Sequence, residues 1–305
     1  MYSAGMVAVS PVSPTASLCG FEAKFIDVNG IRTRYYDVGQ GEPMVLCHGH
    51  GWDGSASANA WTLNIDGLSK HFRVLAADKL GSGMTDNPKT DDGFTIQNQV
   101  AHMWGFVEAL GLDRVHMVGQ SRGGYLAGRI TLEHQDHVKT LVVVDSMTLA
   151  PLVGDPHRRD KLLVGAPTDV REELLFRWGK LSYKPEHLTP EYIDTAVWLE
   201  AQPKAQDTKR RWKGGGEALF NRSLADQKQE TLRWLEEGRL QLPTLVFWGR
   251  KDPSAILECG LKLYDMIAEH NPRAHMYIAS DAGHFHFREY PEQFNRVVTS
   301  FVTSW

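Results

Sequence analysis

The segment RVHMVGQSRGGYLAGRI, residues 114–130, joins two structural elements with almost no loop between them. Residues 115–118 are apolar and typical of a short buried strand, whereas residues 125–130 indicate the start of a helix. Ser121 lies between the two, with a glycine two residues before it and another two residues after it. This G-x-S-x-G pattern predicts a nucleophile elbow, a sharp turn that exposes the serine hydroxyl above a sheet. The alternative is a glycine-rich turn in which the serine has no chemical role.

Predicted strands and helices alternate over most of the chain, which is typical of a parallel sheet covered by helices. Short apolar or alternating runs predict eight strands, at residues 25–28, 31–36, 44–47, 73–77, 115–118, 140–144, 244–248 and 275–278. The first two are expected to form a hairpin around Asn29 and Gly30. Apolar spacing predicts helices at residues 94–110, from Gly123, near residues 255–268 and from Glu292. The predicted fold class is therefore α/β, with a mostly parallel eight-stranded sheet flanked by helices.

One long segment interrupts this alternation. Residues 147–241 are helix-like, rich in charge and contain several tryptophans, so we expect a helical lid inserted after the sixth strand. The lid separates a first core segment, residues 21–146, from a second, residues 242–305. The first 20 residues are uncharged and rich in Ser, Ala and Pro, which predicts a flexible leader rather than a signal peptide.

Composition narrows the classes of partner. The formal net charge of -4 gives no sign of a nucleic acid or a membrane surface as partner. No apolar run approaches the roughly 18 residues of a membrane span. Cys19, Cys47 and Cys259 are odd in number and widely spaced, which argues against a disulfide framework or a zinc site and favours a reducing cytoplasm.

A serine nucleophile needs a base and an acid that orients it. On a sheet of this kind the expected chain order is serine, acid, histidine. Asp252 follows the strand at 244–248 and His284 follows the next strand, so both fall on the edge that carries Ser121. We predict these three as the catalytic triad. Asp145, after the strand at 140–144, is the alternative acid, and His286 is the alternative base.

The oxyanion of such a reaction needs backbone N–H donors. We predict them at Arg122, just after the nucleophile, and at His50 and Gly51, in the glycine-rich turn after the third strand. His48 and His50 could suggest a metal site, but no carboxylate or cysteine lies at ligand spacing, so we interpret them as turn residues. The predicted chemistry uses no metal and no cofactor.

Together these motifs resemble the α/β-hydrolase superfamily over residues 21–305, and within it the meta-cleavage product hydrolases. The resemblance rests on His48-Gly49-x-Gly51, DKLGSGMTDNP at 78–88, the elbow, Gly249-Arg250-Lys251-Asp252 and Gly283-His284. It implies hydrolysis of a carbon–carbon bond in a vinylogous 1,5-diketone, through keto tautomerisation and an acyl-enzyme. It also implies a small carboxylated or aromatic substrate, and homodimers are common in that family.

Three residues depart from that family's pattern. Gln120 stands where Asn is usual, Arg122 where Met is usual and Phe285 where Trp is usual. The resemblance places these three residues and His50 near the substrate. The family's lid arginine has no clear counterpart in the stretch 187–198. The resemblance therefore defines the substrate less closely than it defines the triad.

Arg122 has two possible roles. Its guanidinium could pair with a substrate carboxylate in place of the lid arginine. Alternatively, it forms an internal ion pair with Asp78 or Asp53. Two alternative functions also remain open for the whole chain: a carboxylesterase or lactonase with the same triad, and a ligand receptor on a hydrolase-like scaffold.

Overall fold

The computed structural model describes residues 20–305, so the predicted leader lies outside the described residues except for Gly20. Eight strands form one sheet in the order β1-β2-β4-β3-β5-β6-β7-β8, which confirms the predicted fold class. The strands are β1 (Lys24–Val28), β2 (Ile31–Val38), β3 (Pro43–Cys47), β4 (Arg73–Ala77), β5 (Val115–Gln120), β6 (Val138–Val144), β7 (Thr244–Gly249) and β8 (Ala274–Ala279).

The sheet is antiparallel at one edge only. β1 and β2 form the predicted hairpin, and Asn29 and Gly30 both have positive φ, at 54° and 80°, as the tight two-residue turn requires. β2 also pairs antiparallel with β4. Every other pairing is parallel, so the carboxyl ends of β3 to β8 point to the same edge.

Helices cover both faces of the sheet and fill the interruption after β6. Those outside the interruption are α1 (Thr62–Leu68), α2 (Ile96–Ala109), α3 (Arg122–Glu133), α9 (Leu257–Ala268), α10 (His286–Glu289) and α11 (Pro291–Val302). Those within it are α4 (Arg158–Leu162), α5 (Val170–Leu181), α6 (Pro190–Ala201), α7 (Pro203–Arg211) and α8 (Glu217–Glu236). α7 and α8 are joined by a π-helical turn, Trp212–Gly216, in which Gly215 has a φ of 130°.

The central strands are buried on both faces. Val143 packs into the apolar cluster on one face of the sheet, whereas its neighbours Val142 and Val144 pack into the cluster on the other face. Burying one such side chain contributes about 1.5–3 kcal/mol. Burial on both faces explains why these strands are continuously apolar in the sequence rather than alternating.

Polar residues follow directly at the carboxyl ends of the parallel strands. Ser121 follows β5, Asp145 follows β6 and Asp252 lies just beyond β7. Crevices at this edge are where open parallel sheets bind ligands. None of the helices within residues 20–305 is long and apolar enough to cross a membrane.

Candidate active site

Ser121 is held in a strained backbone conformation between β5 and α3. Its φ of 53° and ψ of -120° are rare for a residue with a side chain, and such conformations cost about 1–3 kcal/mol. The Ser121 amide donates to the carbonyl of Val144 at 2.8 Å, which ties the turn to β6. A Cβ at Gly119 would overlap the backbone of Gly123, and one at Gly123 would overlap the carbonyl of Cys47. The glycines of the elbow are therefore required by close backbone contacts.

The predicted acid and base are in direct contact. Nδ1 of His284 lies 2.5 Å from Oδ2 of Asp252, and both side chains are buried. The other carboxylate oxygen of Asp252 accepts three hydrogen bonds, from the amide and hydroxyl of Ser254 and the amide of Ala255, at 2.8–2.9 Å. These donors fix the direction of the Asp252 side chain.

His284 is fixed on both sides of its own backbone. Its amide donates to the carbonyl of Leu181 at 2.9 Å, and its carbonyl accepts from Nε2 of Gln120 at 3.0 Å. Burial opposes protonation of His284, but the carboxylate of Asp252, and then that of Asp145, raise its pKa above the ordinary value. With Nδ1 held by Asp252, Nε2 is the nitrogen left to exchange a proton with a neighbouring group.

The alternative acid and base pair with each other. Nδ1 of His286 lies 2.5 Å from Oδ2 of Asp145, and the imidazole stacks on the ring of Phe247 with centroids 4.1 Å apart. Burial, and then the charge of Asp252, raise the pKa of Asp145 well above its usual range. Burial lowers the pKa of His286 to about 3. Neither side chain lines the cavity that contains Ser121.

The turn after β3 lies against Ser121. A Cβ at Gly49 would meet Ser121 and the side chain of Gln120, so this position must be glycine. His50 has a positive φ of 59°. Buried Lys79 holds the turn, because its ammonium donates to the carbonyls of Gly49 and His50 at 2.8 and 2.7 Å.

Both nitrogens of His48 are used within this turn. Nδ1 donates to the carbonyl of Gly49 at 2.9 Å, and Nε2 accepts from the amide of Lys79 at 3.1 Å. Burial, and then the charge of Lys79, lower the pKa of His48 well below its ordinary value. His48 is thus a neutral imidazole with a structural position, and residues 20–305 contain no group of three His, Cys, Asp or Glu that could hold a metal.

The residues with the predicted oxyanion donors, Arg122, His50 and Gly51, line the same cavity as Ser121. Arg122 is the first residue of α3, where backbone N–H groups have no partner within the helix. Among residues 20–305, the amides of Arg122 and His50 donate to no acceptor. The arrangement can therefore stabilise a negative oxygen above Ser121.

Most of these groups line one cavity with a volume of about 560 Å³. That volume is typical of a small-molecule site. It is lined by His50, Gly51, Asp53, Ser121, Arg122, Met147, Thr148, Arg159, Asp160, Arg177, Leu181, Trp212, Glu217, Asn221, Ser254, Ala255 and His284. Asp252 lies behind His284 and does not line it.

Gln120 and Phe285, which we expected near a substrate, lie outside this lining. Both line a separate space of about 20 Å³ behind His50, large enough for one water molecule. The ring of Phe285 stacks against His50 with centroids 6.3 Å apart, and Gln120 holds the backbone of His284. Through these contacts, Phe285 positions His50 and Gln120 positions His284.

The guanidinium of Arg122 faces the cavity. It lies 4.7 Å from the centroid of the Phe220 ring. The internal ion pairs considered above do not form, because Asp78 pairs with Arg34 at 3.0 Å and Asp53 accepts from Ser55 and Ala56. Burial, and then the charge of Arg159, lower the pKa of Arg122 to about 10.

Several cavity residues were not predicted from the sequence. Arg159 and Arg177 come from α4 and α5, in a segment where charged residues are common and no spacing singles them out. Outside the cavity, Lys79 lies in the motif DKLGSGMTDNP, and the sequence predicts no role for it. Only its burial and its two carbonyl acceptors identify its function in the turn.

Comparison with known proteins shows the family to which the chain is related. Residues 42–290 match the family described as the alpha/beta hydrolase fold. Over 296 residues, covering 92% of this chain and 90% of the relative, the chain is 29% identical to a 2-hydroxy-6-oxo-6-(2'-aminophenyl)hexa-2,4-dienoic acid hydrolase of Metapseudomonas resinovorans. It is 30% identical over 277 residues, 89% of this chain and 91% of the relative, to a 2-hydroxy-6-oxononadienedioate/2-hydroxy-6-oxononatrienedioate hydrolase of Paraburkholderia xenovorans.

A solved structure of a meta-cleavage product hydrolase is also similar to this chain. A meta-cleavage product hydrolase from Pseudomonas fluorescens, in a serine-to-alanine variant complexed with acetates, superposes with a TM-score of 0.74 at 27% identity. The match covers 92% of this chain and 97% of that one.

Proposed function

The chain belongs to the α/β-hydrolase fold family, and from this premise we propose that it hydrolyses a carbon–carbon bond in a ring-opened aromatic catabolite, a vinylogous 1,5-diketone. Two observations support the proposal. The first is the contact of 2.5 Å between His284 and Asp252 at the wall of the cavity that Ser121 lines. The second is the relationship to hydrolases whose names specify such dienoates.

The proposed first stage is a proton transfer within the substrate. The dienol form has no good carbon leaving group. His284 accepts the enol proton and helps return a proton to the carbon chain, which gives the keto form. In that form, the bond between the two carbonyl-bearing segments can break with the electron pair delocalised into the departing dienoate.

The second stage is acyl transfer. Nε2 of His284 takes the hydroxyl proton of Ser121, whose oxygen attacks the ketone carbonyl. The backbone N–H groups of Arg122, His50 and Gly51 hold the resulting oxyanion. The carbon–carbon bond then breaks, the electron pair moves into the departing dienolate, whose oxygen takes the proton from His284, and water activated by the same imidazole hydrolyses the acyl-enzyme. Asp252 orients the imidazole throughout.

Arg122 is the proposed contact for the substrate carboxylate. Its guanidinium lines the cavity and pairs with no carboxylate among residues 20–305. A planar guanidinium suits a carboxylate because two parallel hydrogen bonds can form.

The helical segment, residues 147–241, is the proposed lid. It supplies about half of the cavity wall, including Met147, Arg159, Arg177, Leu181 and Trp212. A lid of this kind excludes water and sets substrate choice.

The two described cysteines, Cys47 and Cys259, are buried and free, which fits the proposed reducing cytoplasm.

A spectrophotometric assay tests this function. Yellow ring-cleavage dienoates derived from 3-methylcatechol or 2,3-dihydroxybiphenyl are mixed with the purified protein, and the visible band is followed. We expect rapid bleaching that the Ser121→Ala variant no longer completes. If the wild-type protein leaves the band unchanged, the carbon–carbon hydrolase proposal is lost.

An ester hydrolase is the second candidate. The Ser121, His284 and Asp252 arrangement suits ester cleavage equally, and Arg122, which lines the cavity, stands where the resemblance leads us to expect Met. Brisk cleavage of p-nitrophenyl acetate without dienoate bleaching would favour this candidate.

A further inference from the structure

Three guanidinium groups converge on one cavity from three different helices. Arg122 begins α3, Arg159 lies in α4 and Arg177 lies in α5, and all three line the space above Ser121. Like charges gathered in a partly buried space repel each other unless an anion neutralises them. The question is therefore which of these cations the protein itself neutralises.

Arg177 is neutralised within the protein. Its Nε lies 3.2 Å from a carboxylate oxygen of Glu173, one helical turn earlier in α5. Burial opposes ionisation of Asp53, but Arg177, and then the hydroxyl of Ser55, lower the pKa of its carboxyl. Arg177 thus has Glu173 as an ion-pair partner, whereas the charge of Asp53 acts on all three guanidinium groups.

Arg122 and Arg159 are not neutralised in this way. In the part of the chain that the structure describes, neither guanidinium makes a hydrogen bond or an ion pair; Arg122 only lies over the ring of Phe220. The other two carboxylates of the lining, Asp160 and Glu217, are exposed to solvent, with 77% of the Asp160 side chain accessible. Exposed carboxylates screen a buried cation weakly.

The ionisation of the two groups reflects this surplus of positive charge. Burial, and then Arg159, lower the pKa of Arg122 to about 10. Burial, and then Arg177, lower the pKa of Arg159 below its ordinary value. Each guanidinium is destabilised by its surroundings, and a bound anion would relieve that cost.

We propose that the cavity binds a substrate with two carboxylates, one held by Arg122 and the other by Arg159. This inference rests on the proposed function and narrows it to dicarboxylic substrates. The space beside the two cations is lined by Met147, Leu181 and Trp212, which suits the carbon chain between two carboxylates. Two cations that have no ion-pair partner match two anionic groups, whereas a substrate with one carboxylate leaves one of these cations unpaired.

Equilibrium binding tests this without any reaction. Suberate, with two carboxylates, and octanoate, with one carboxylate on the same eight-carbon chain, are titrated into the wild-type protein by calorimetry. We expect suberate to bind at least about 10-fold more tightly, since one charge-assisted hydrogen-bonded pair contributes about 1.5–3 kcal/mol. Equal affinities, or tighter binding of octanoate, would overturn the proposal.

A matched pair of variants locates the second carboxylate. Arg159→Gln should remove the preference for suberate and leave octanoate binding within about twofold of wild type. Arg158→Gln, one residue earlier in α4 and outside the cavity lining, is the control and should keep the preference. Loss of the preference in both variants, or in neither, would contradict the assignment to Arg159. Thermal unfolding of both variants verifies that they fold.

Turnover separates this inference from the proposed function. A dienoate with a distal carboxylate and its methyl ester are compared by bleaching, and we expect a kcat/KM ratio of at least about 10 in favour of the dicarboxylate. Bleaching of both compounds at equal rates would support the carbon–carbon hydrolase and overturn the dicarboxylate preference. Arg159-dependent suberate binding without any bleaching would do the reverse.

Discussion

Nδ1 of His286 lies 2.5 Å from Oδ2 of Asp145, the same separation that joins His284 to Asp252. Two aspartate–histidine pairs therefore occur at one edge of the sheet, one at the cavity wall and one behind it. Oδ1 of Asp145 also accepts from the amide of Gly249 at 2.8 Å. The pair of Asp145 and His286 thus links the end of β6 to the end of β7 and to α10. Asp252 follows β7 in the chain, and His284 precedes α10.

Replacement of each aspartate by asparagine should distinguish the two pairs. Asp252→Asn is expected to lower kcat by about 10³–10⁴-fold, because the imidazole of His284 loses the carboxylate that orients it. Asp145→Asn should cost less than about 10-fold. The raised pKa of Asp145 favours a protonated carboxyl, whose hydrogen-bonding pattern asparagine reproduces. Steady-state kinetics with a dienoate or an ester substrate measures kcat of both variants. An equal loss of kcat in the two variants would make Asp145 a candidate acid again.

The pH dependence of kcat/KM should report the ionisation of His284. This imidazole must be neutral to accept the proton of Ser121, so activity falls as the pH falls through its pKa. Because the pKa of His284 is raised, we expect the acidic limb to have its midpoint above 6.5. Asp252→Asn should move that midpoint to lower pH, since burial then acts with less opposition. A midpoint that stays in place in the variant would assign the limb to another group.

Arg122→Met should act on substrate binding more than on turnover. It removes the guanidinium but keeps the backbone N–H at the start of α3. We expect KM for a carboxylated substrate to rise about 10–100-fold with kcat within a few-fold, as for the loss of a charge-assisted hydrogen bond. Arg158→Met is the matched control outside the cavity lining. An unchanged KM in Arg122→Met would remove the carboxylate role.

Lys79→Met should loosen the turn after β3. The carbonyls of Gly49 and His50 lose the ammonium that they share, and an unsatisfied buried carbonyl costs about 1–3 kcal/mol. We expect a lower melting temperature and a kcat reduced about 10–100-fold. Lys204→Met, which removes a bond of 3.3 Å to the carbonyl of Gly83, provides the comparison. Should both variants lose the same fraction of kcat, the effect would not arise in the turn.

Gly123→Ala should destabilise the elbow. Its new Cβ would overlap the carbonyls of Cys47 and His48, which belong to a rigid strand end, and overpacking of this kind costs about 1–3 kcal/mol or more. Gly179→Ala is the control, because nothing lies within 4 Å of its Cβ position and alanine favours the interior of α5 by about 0.5–1 kcal/mol. Urea denaturation should therefore shift in opposite directions for the two variants.

The sheet could be predicted from the sequence because each strand has its own local signal. All eight predicted strands lie at the expected positions, with ends that differ by at most two residues. α1 was not predicted: its seven residues include Asn64, Asp66 and Gly67, and it is stabilised by packing against α11 rather than by local preference. Short helices of this kind depend on tertiary contacts.

The cavity was harder to predict than the elbow. Chain order and strand ends were enough to nominate Ser121, Asp252 and His284. Nothing in the local sequence distinguishes Arg159, whose cavity-facing position follows from how the inserted helices pack. The pairing of Asp145 with His286 was also unpredictable, because it depends on which imidazole faces which strand end.

The inserted helices leave the sheet after Val144 and return at Thr244, on strands that are neighbours: Leu141 pairs with Thr244 and Val144 with Phe247. The entropy of closing such a long connection grows only slowly with its length. Changes in the number or sequence of the inserted helices should therefore have little influence on the register of the strands that lead to Ser121 and Asp252. Evolution can exchange one wall of the binding space as a separate unit, and a protein engineer can do the same by grafting that unit between two fixed attachment points.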